Sequence, residues 1–147
     1  MAIRRLENIG MVVDDLDAAE SFFVSLGLAR LGATTVEGAW VDRVLGLDGV
    51  RCEIVLLQTS DGHGRLEIMR FLHPAARPGE RDAPPHTHGL RRLAFDVDDL
   101  DATLAAARAH GAELIGEVQR YEDAYRLCYL RGPEGIIVML SEELGAA

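Results

Sequence analysis

The chain has 147 residues, 15 basic and 24 acidic side chains, a formal charge of −9 and 48% hydrophobic residues. That size admits one compact domain or two small similar halves with a core, and the apolar share beside a charged fraction of 27% is too high for a disordered protein. The negative balance disfavours nucleic acid and anionic membranes as partners, and because every basic residue is Arg and Lys is absent, Schiff-base chemistry and a phosphate-loop lysine are excluded.

The N-terminal run MAIRRLENIGMVVDD lacks the continuous apolar stretch of a signal peptide, and no run approaches the roughly 18 apolar residues that span a bilayer. A cytoplasmic protein is the expectation. Ile9, Met11 and Val13 alternate along a first predicted strand. The acidic DDLDAA that follows places acceptors and negative charge where a helix begins. Leu16, Ala19, Phe22, Phe23 and Leu26 recur at helical spacing, and Gly27 supplies the stop. Strands are predicted over residues 29–35, 51–58 and 65–71, with a long loop at 36–49 that carries Trp40 and a turn at Ser60-Asp61-Gly62.

Residues 73–89 contain all but one of the prolines and read as a linker. Beyond it the pattern repeats. Val13-Asp14-Asp15-Leu16-Asp17-Ala18 recurs as Val97-Asp98-Asp99-Leu100-Asp101-Ala102, 84 residues further on, and Gly27 falls on Gly111 at the same shift. Leu93, Phe95 and Val97 alternate, Leu100, Leu104 and Ala107 lie on one helix face, and strands are predicted over 112–121, 126–131 and 136–141. The chain is therefore α+β: a first βαβββ module over 1–72, the Pro-rich linker over 73–89, and a second module over 90–147.

The strings NIGMVVDDLDAAESFFVSLGL, GRLEIMRF, LRRLAFDVDDLDATLAAARAHGAEL and RGPEGIIVML resemble the vicinal oxygen chelate (VOC) superfamily. Glyoxalase I, methylmalonyl-CoA epimerase, extradiol dioxygenases, and fosfomycin and bleomycin resistance proteins belong to it. The resemblance implies that the paired modules curve into a U-shaped, partly open, barrel-like sheet with helices outside and together make one domain. It also implies a metal inside, held by the first and last strand of each module. On this chain the four ligand positions fall on Asn8, Glu67, Arg92 and Met139.

Only Glu67 is an ordinary ligand for a divalent cation. Asn8 offers a weak carbonyl oxygen, Arg92 has donors and a fixed positive charge, and Met139 is a soft thioether better suited to copper(I). The expectation is a degenerate, metal-free site with no cofactor. Parity along the strands places Arg65, Met69 and Phe71 beside Glu67, with Glu53 near them on the neighbouring strand. A carboxylate in the apolar LEIMRF run needs a partner, and Arg92 is the natural one because the ligand positions converge in the superfamily. If the two form a buried pair, Arg92→Ala should destabilise the fold by roughly 3–5 kcal/mol.

The functional reading of that pair makes Glu67 a proton-transfer base and Arg92 the stabiliser of an anionic ligand, enolate or oxyanion. The structural reading makes them a neutralised relic. Met139 and Met69 line a cavity in either case, and Trp40, Tyr121, Tyr125 and Tyr129 form an aromatic wall or ordinary packing. His86 and His88 sit in the linker without acidic companions, His63 and His73 read as turn residues, and His110 closes a helix. Cys52 and Cys128 lie within strands with no CxxC partner and no activating His. No GxSxG elbow, Walker loop or dinucleotide loop occurs.

The expected function is a glyoxalase/bleomycin resistance-like protein whose metal-free cavity binds, and in one reading transforms, a small organic carbonyl, carboxylate or aromatic molecule. If it is an enzyme, it is a glyoxalase-like lyase or isomerase. The alternative is a metal-dependent lyase, epimerase or isomerase, or dioxygenase, with a divalent metal held by other ligands. By resemblance the protein is also expected to form a homodimer.

Overall fold

The computed structural model describes residues 2–145. Its order of elements is that of two copies of one unit, and the chain divides into compact units at 1–78 and 79–147. In the first, β1 (Ile9–Val12), α1 (Leu16–Ser25), β2 (Ala29–Glu37), α2 (Ala39–Leu45), β3 (Arg51–Gln58) and β4 (Arg65–His73) build a four-stranded sheet in the order β1-β4-β3-β2. β1 runs parallel to β4 and the other neighbours are antiparallel. The first and last strands of the module are thereby adjacent.

Acidic residues start α1 as the sequence implies. The Asp15 carboxylate accepts from the Ala18 backbone N–H at 3.0 Å, and Gly27 follows the last turn at a φ of +115°. Because an N-cap aspartate satisfies a helix donor that otherwise has no partner, Asp15→Ala should lower stability by about 1 kcal/mol, read as a shift of the urea midpoint at unchanged slope. Ala19, Phe22 and Phe23 are buried, and α1 lies against β3 and β4, whose Val55, Leu57, Leu66 and Ile68 face it. The two phenylalanine rings meet edge to face at 5.0 Å.

The loop expected over 36–49 is instead largely α2. This short helix packs on β2, and Val41 joins Val50 and Cys52 in a second small core, on the sheet face opposite α1, with Val36, Ile54, Met69 and Phe71 packed against it. Asp42 closes the return to β3 by accepting from the N–H groups of Gly49 and Val50 at 3.0 and 2.7 Å. Seven residues are too few for the periodicity of a helix to stand out from a loop.

The second unit holds β5 (Arg92–Asp96), α3 (Leu100–Ala109), β6 (Glu113–Tyr121), β7 (Tyr125–Arg131) and β8 (Ile137–Glu143), again four-stranded, in the order β5-β8-β7-β6 with β5 parallel to β8. Asp99 caps α3 at the Ala102 N–H, and Glu142 accepts from the Leu100 N–H at 2.7 Å. The Arg126 fork grips Asp101 at 2.9 and 3.1 Å, which holds that carboxyl below the usual aspartate range and ties β7 to the first turn of α3. Leu100, Leu104 and Ala107 bury against β8, and Leu93, Cys128, Leu130, Val138 and Leu140 complete the core.

The expected linker does not hang free along its whole length. Arg131 donates to the carbonyls of Arg81, Ala83 and Gly135 at 3.1, 3.0 and 3.1 Å, Ala83 is buried, and Arg81 pairs with Glu134 at 2.7 Å. Residues 81–83 are thus seated on the second unit, at the 3₁₀ turn Pro133–Gly135 that precedes β8.

Candidate functional site

Strand register decides which side chains share a face. In the first unit Gly10 stands opposite Glu67 and Glu67 opposite Leu56, so Asn8, Gly10, Leu56, Glu67 and Met69 lie on the face away from α1. Asn8, just before β1, donates its amide Nδ2–H to Glu67 Oε2 at 3.1 Å across 59 positions of sequence. Arg65 on the same face donates to Gln58 Oε1 at 3.1 Å and reaches Glu7 at 3.5 Å. Both Asn8 and Glu67 are half-buried. The partner Glu67 needs is therefore supplied within its own module, by an uncharged amide.

In the second unit the equivalent face carries Arg92, Ala94, Tyr129, Met139 and Ser141, since Ala94 pairs with Met139 and Met139 with Tyr129. Arg92 is exposed, with its guanidinium carbon 5.6 Å from the centre of the Tyr129 ring. Beside them is a recess of about 440 Å³ lined by Gln119, Arg120, Tyr121, Tyr125, Leu127, Met139 and Ser141. Gln119, Leu127 and Ser141 were not singled out from the sequence. The alternation within YRLCYLR, which sends Tyr125, Leu127 and Tyr129 to one face and Cys128 and Leu130 to the core, is the signal that finds this wall.

Among the other expected residues of the first unit, Glu53 leaves the face of Glu67. Glu53 pairs in register with Arg70, at 3.5 Å between their charged groups, on the α1 side of the sheet and opposite the face of Glu67. RCEIVLLQ is apolar at both parities, so sequence alone does not say which side Glu53 takes. Met69 does share the face of Glu67, but it is packed into the small core under α2. Trp40 belongs to α2 and is 60% exposed.

Both cysteines are buried and unpaired, and burial pushes each thiol up, for Cys52 with a further rise from nearby Glu67. They remain protonated and inert as nucleophiles at neutral pH. His86 and His88 are exposed loop residues, and the His110 Nδ1 lies 3.1 Å from the Ala106 carbonyl at the end of α3.

The metal that the resemblance implies can be tested on these donors. Glu67 and Asn8 offer one carboxylate and one amide oxygen. The corresponding positions of the second module carry a fixed cation, Arg92, and a thioether, Met139. Among the described residues no three His, Cys, Asp or Glu side chains are grouped so as to hold an ion. These residues do not fit a hard divalent cation.

Residues 7–129 match the family model of the Glyoxalase/Bleomycin resistance protein/Dioxygenase superfamily. The chain belongs to this superfamily. A glyoxalase family protein from Bacillus cereus has a solved structure that superposes with a TM-score of 0.94 at 47% identity, covering 99% of both chains. Two curated relatives are more distant. The uncharacterized protein YaeR of Escherichia coli (strain K12) is 25% identical over 97% of this chain and 99% of its own length. A 2-epi-5-epi-valiolone epimerase from Actinomyces sp is 28% identical, over 80% of this chain and 66% of the epimerase. The fold expected from the repeat is that of the superfamily: α+β, with two four-stranded mixed sheets. Among the described residues no helix is long and apolar enough to cross a membrane.

Proposed function

We propose that this superfamily member binds a small organic carbonyl or carboxylate compound without an inherited metal, and that Glu67 of the first unit moves a proton. The observation that carries the reading is the Asn8–Glu67 hydrogen bond at 3.1 Å. In it one carboxylate oxygen is held by an N–H, while the other takes no hydrogen bond from the described residues. A carboxylate steadied on one side and open on the other is arranged to accept a proton from a carbon acid.

In the second unit Arg92, exposed beside the ring of Tyr129, brings a positive charge suited to an anionic ligand. The epimerase among the relatives agrees with the proton-transfer reading, since inversion at a carbon requires a base. The reacting bond in this reading is a C–H next to a carbonyl: Glu67 takes the proton, and the electron pair passes to the carbonyl oxygen.

Proton exchange tests this. In D2O the wild type should exchange the methyl protons of pyruvate, read by NMR, and Glu67→Gln should slow that exchange by about tenfold or more. Arg92→Met should weaken binding of pyruvate by about tenfold, the value of a charge-assisted hydrogen bond. Since Arg92 is exposed, Arg92→Met should leave folding stability within about 1 kcal/mol, rather than produce the larger loss a buried pair would give. Exchange unchanged in Glu67→Gln, or near-stoichiometric metal retained by purified protein and lost in Glu67→Gln, would overturn the proposal.

A further inference from the structure

The internal repeat allows each module to be used as the control for the other. By register, Tyr121, Tyr125, Leu127, Met139 and Ser141 of the second sheet occupy the places that Val36, Cys52, Ile54, Glu67 and Met69 hold in the first. In the first module four of these five belong to the small core that α2 covers through Val41, together with Val50. In the second module β6 and β7 are joined by Glu122, Asp123 and Ala124 alone, with no helix between them. The same sheet position is an apolar core in one copy and an open recess of about 440 Å³ in the other.

From this asymmetry we infer that the recess on β6, β7 and β8 is a ligand subsite for a flat, uncharged aromatic ring system bearing a hydroxyl or carbonyl at one edge. Four features select that occupant over a peptide or a second copy. First, the volume lies within the range of small-molecule sites. Second, substitution of Val36 and Cys52 by Tyr121 and Tyr125 at the equivalent places supplies two aromatic faces, with the Met139 thioether on the same sheet face. Third, the β6–β7 register breaks between Ile115 and Gln119, where Gly116 sits at a φ of +78°, so β6 leaves β7 beside Cys128 and rejoins it at the pair Gln119 and Leu127, at the margin of the recess.

Fourth, the polar groups are few. Gln119 gives its amide N–H to Glu117 at 3.1 Å, which leaves its carbonyl oxygen, and the Ser141 hydroxyl takes no partner from the described residues. Arg120, the one cation of the lining, is committed to the Glu122 carbonyl and the Asp123 carboxylate, both at 3.1 Å, and so offers no unpaired charge to the ligand. This subsite rests on the proposed function in one respect: a carboxylate on the same ligand would extend along the sheet face toward Arg92, beside Tyr129.

The experiment is calorimetric titration of the full chain with 2-naphthol and with 2-naphthoate. Wild type should bind 2-naphthol saturably, one per chain. Ser141→Met, which installs the residue the first module has at this place, should weaken 2-naphthol about tenfold by filling the recess. Tyr121→Ser should do the same by removing a stacking face. Unfolding midpoints close to wild type confirm that both variants are folded. Absence of saturable binding, or affinity unchanged in both variants, overturns the subsite.

Loss of self-association in Tyr121→Ser by sedimentation, without 2-naphthol binding in wild type, overturns it in favour of an interface between copies. The two readings separate through Arg92→Met. If that variant weakens 2-naphthoate but not 2-naphthol, both stand. If it changes neither while Ser141→Met weakens both, the subsite stands and the role of Arg92 falls.

Discussion

Replacing Phe23 with alanine should destabilise the first module by about 3–5 kcal/mol, the largest single loss expected in the chain. The side chain is fully buried and meets Phe22 edge to face at 5.0 Å, on the helix that covers β3 and β4. Truncation removes the burial of an aromatic ring and leaves a cavity between two elements that close only partially around it. The consequence reaches the candidate site because β4 carries Glu67 on its other face, opposite Leu56 of β3. Urea unfolding followed by circular dichroism measures the loss, and Phe23→Leu should recover most of it. An unchanged midpoint for the alanine variant would mean that α1 does not dock where its burial indicates.

The second large effect is expected at Gly135. This residue has a φ of +78°, and a Cβ there would run into the backbone of Arg81, which Arg131 and Glu134 hold in place. Two contributions therefore add in Gly135→Ala: left-handed backbone strain, and a collision with main chain that cannot rotate away. A loss of about 3 kcal/mol is expected, with faster proteolysis within residues 79–89 as the seat of that segment loosens. Gly116 separates the contributions, because it has the same φ of +78° but nothing lies within 4 Å of the place a Cβ would take. Gly116→Ala should lose only about 1 kcal/mol. Equal losses in the two variants would show that strain alone matters and that residues 81–83 are not seated on the turn before β8.

Much of this molecule was legible from one chain because its signals are local. Asp15 and Asp99 cap helices through a contact three residues away, Gly27 and Gly111 end them, and β3 spans the residues its apolar run predicts. The shift from Val13 to Val97 disclosed the duplication, and the resemblance then located Glu67, Arg92 and Met139 on β4, β5 and β8, with Asn8 just before β1. The placing of Cys52 and Cys128 within strands and of His86 and His88 in a loop also followed from their neighbours in sequence.

What lay beyond reach was set between strands or between distant segments. Asn8 meets Glu67 because β1 runs parallel to β4 after a crossover, and no local pattern encodes which donor a carboxylate 59 positions away will take. Glu53 was misplaced because β3 is apolar on both faces, so alternation does not choose a side until the register with Arg70 is known. The 36–49 segment hid α2, whose seven residues fold as a helix only because Val41 finds Val50 and Cys52 beneath it. The sequence by itself determined the elements, their caps, the repeat and the residue types at the inherited positions, since these depend on spacing along one chain. Only the tertiary structure decided which face each side chain serves and which sheet position is filled or left open, because both depend on register and on what packs across the gap.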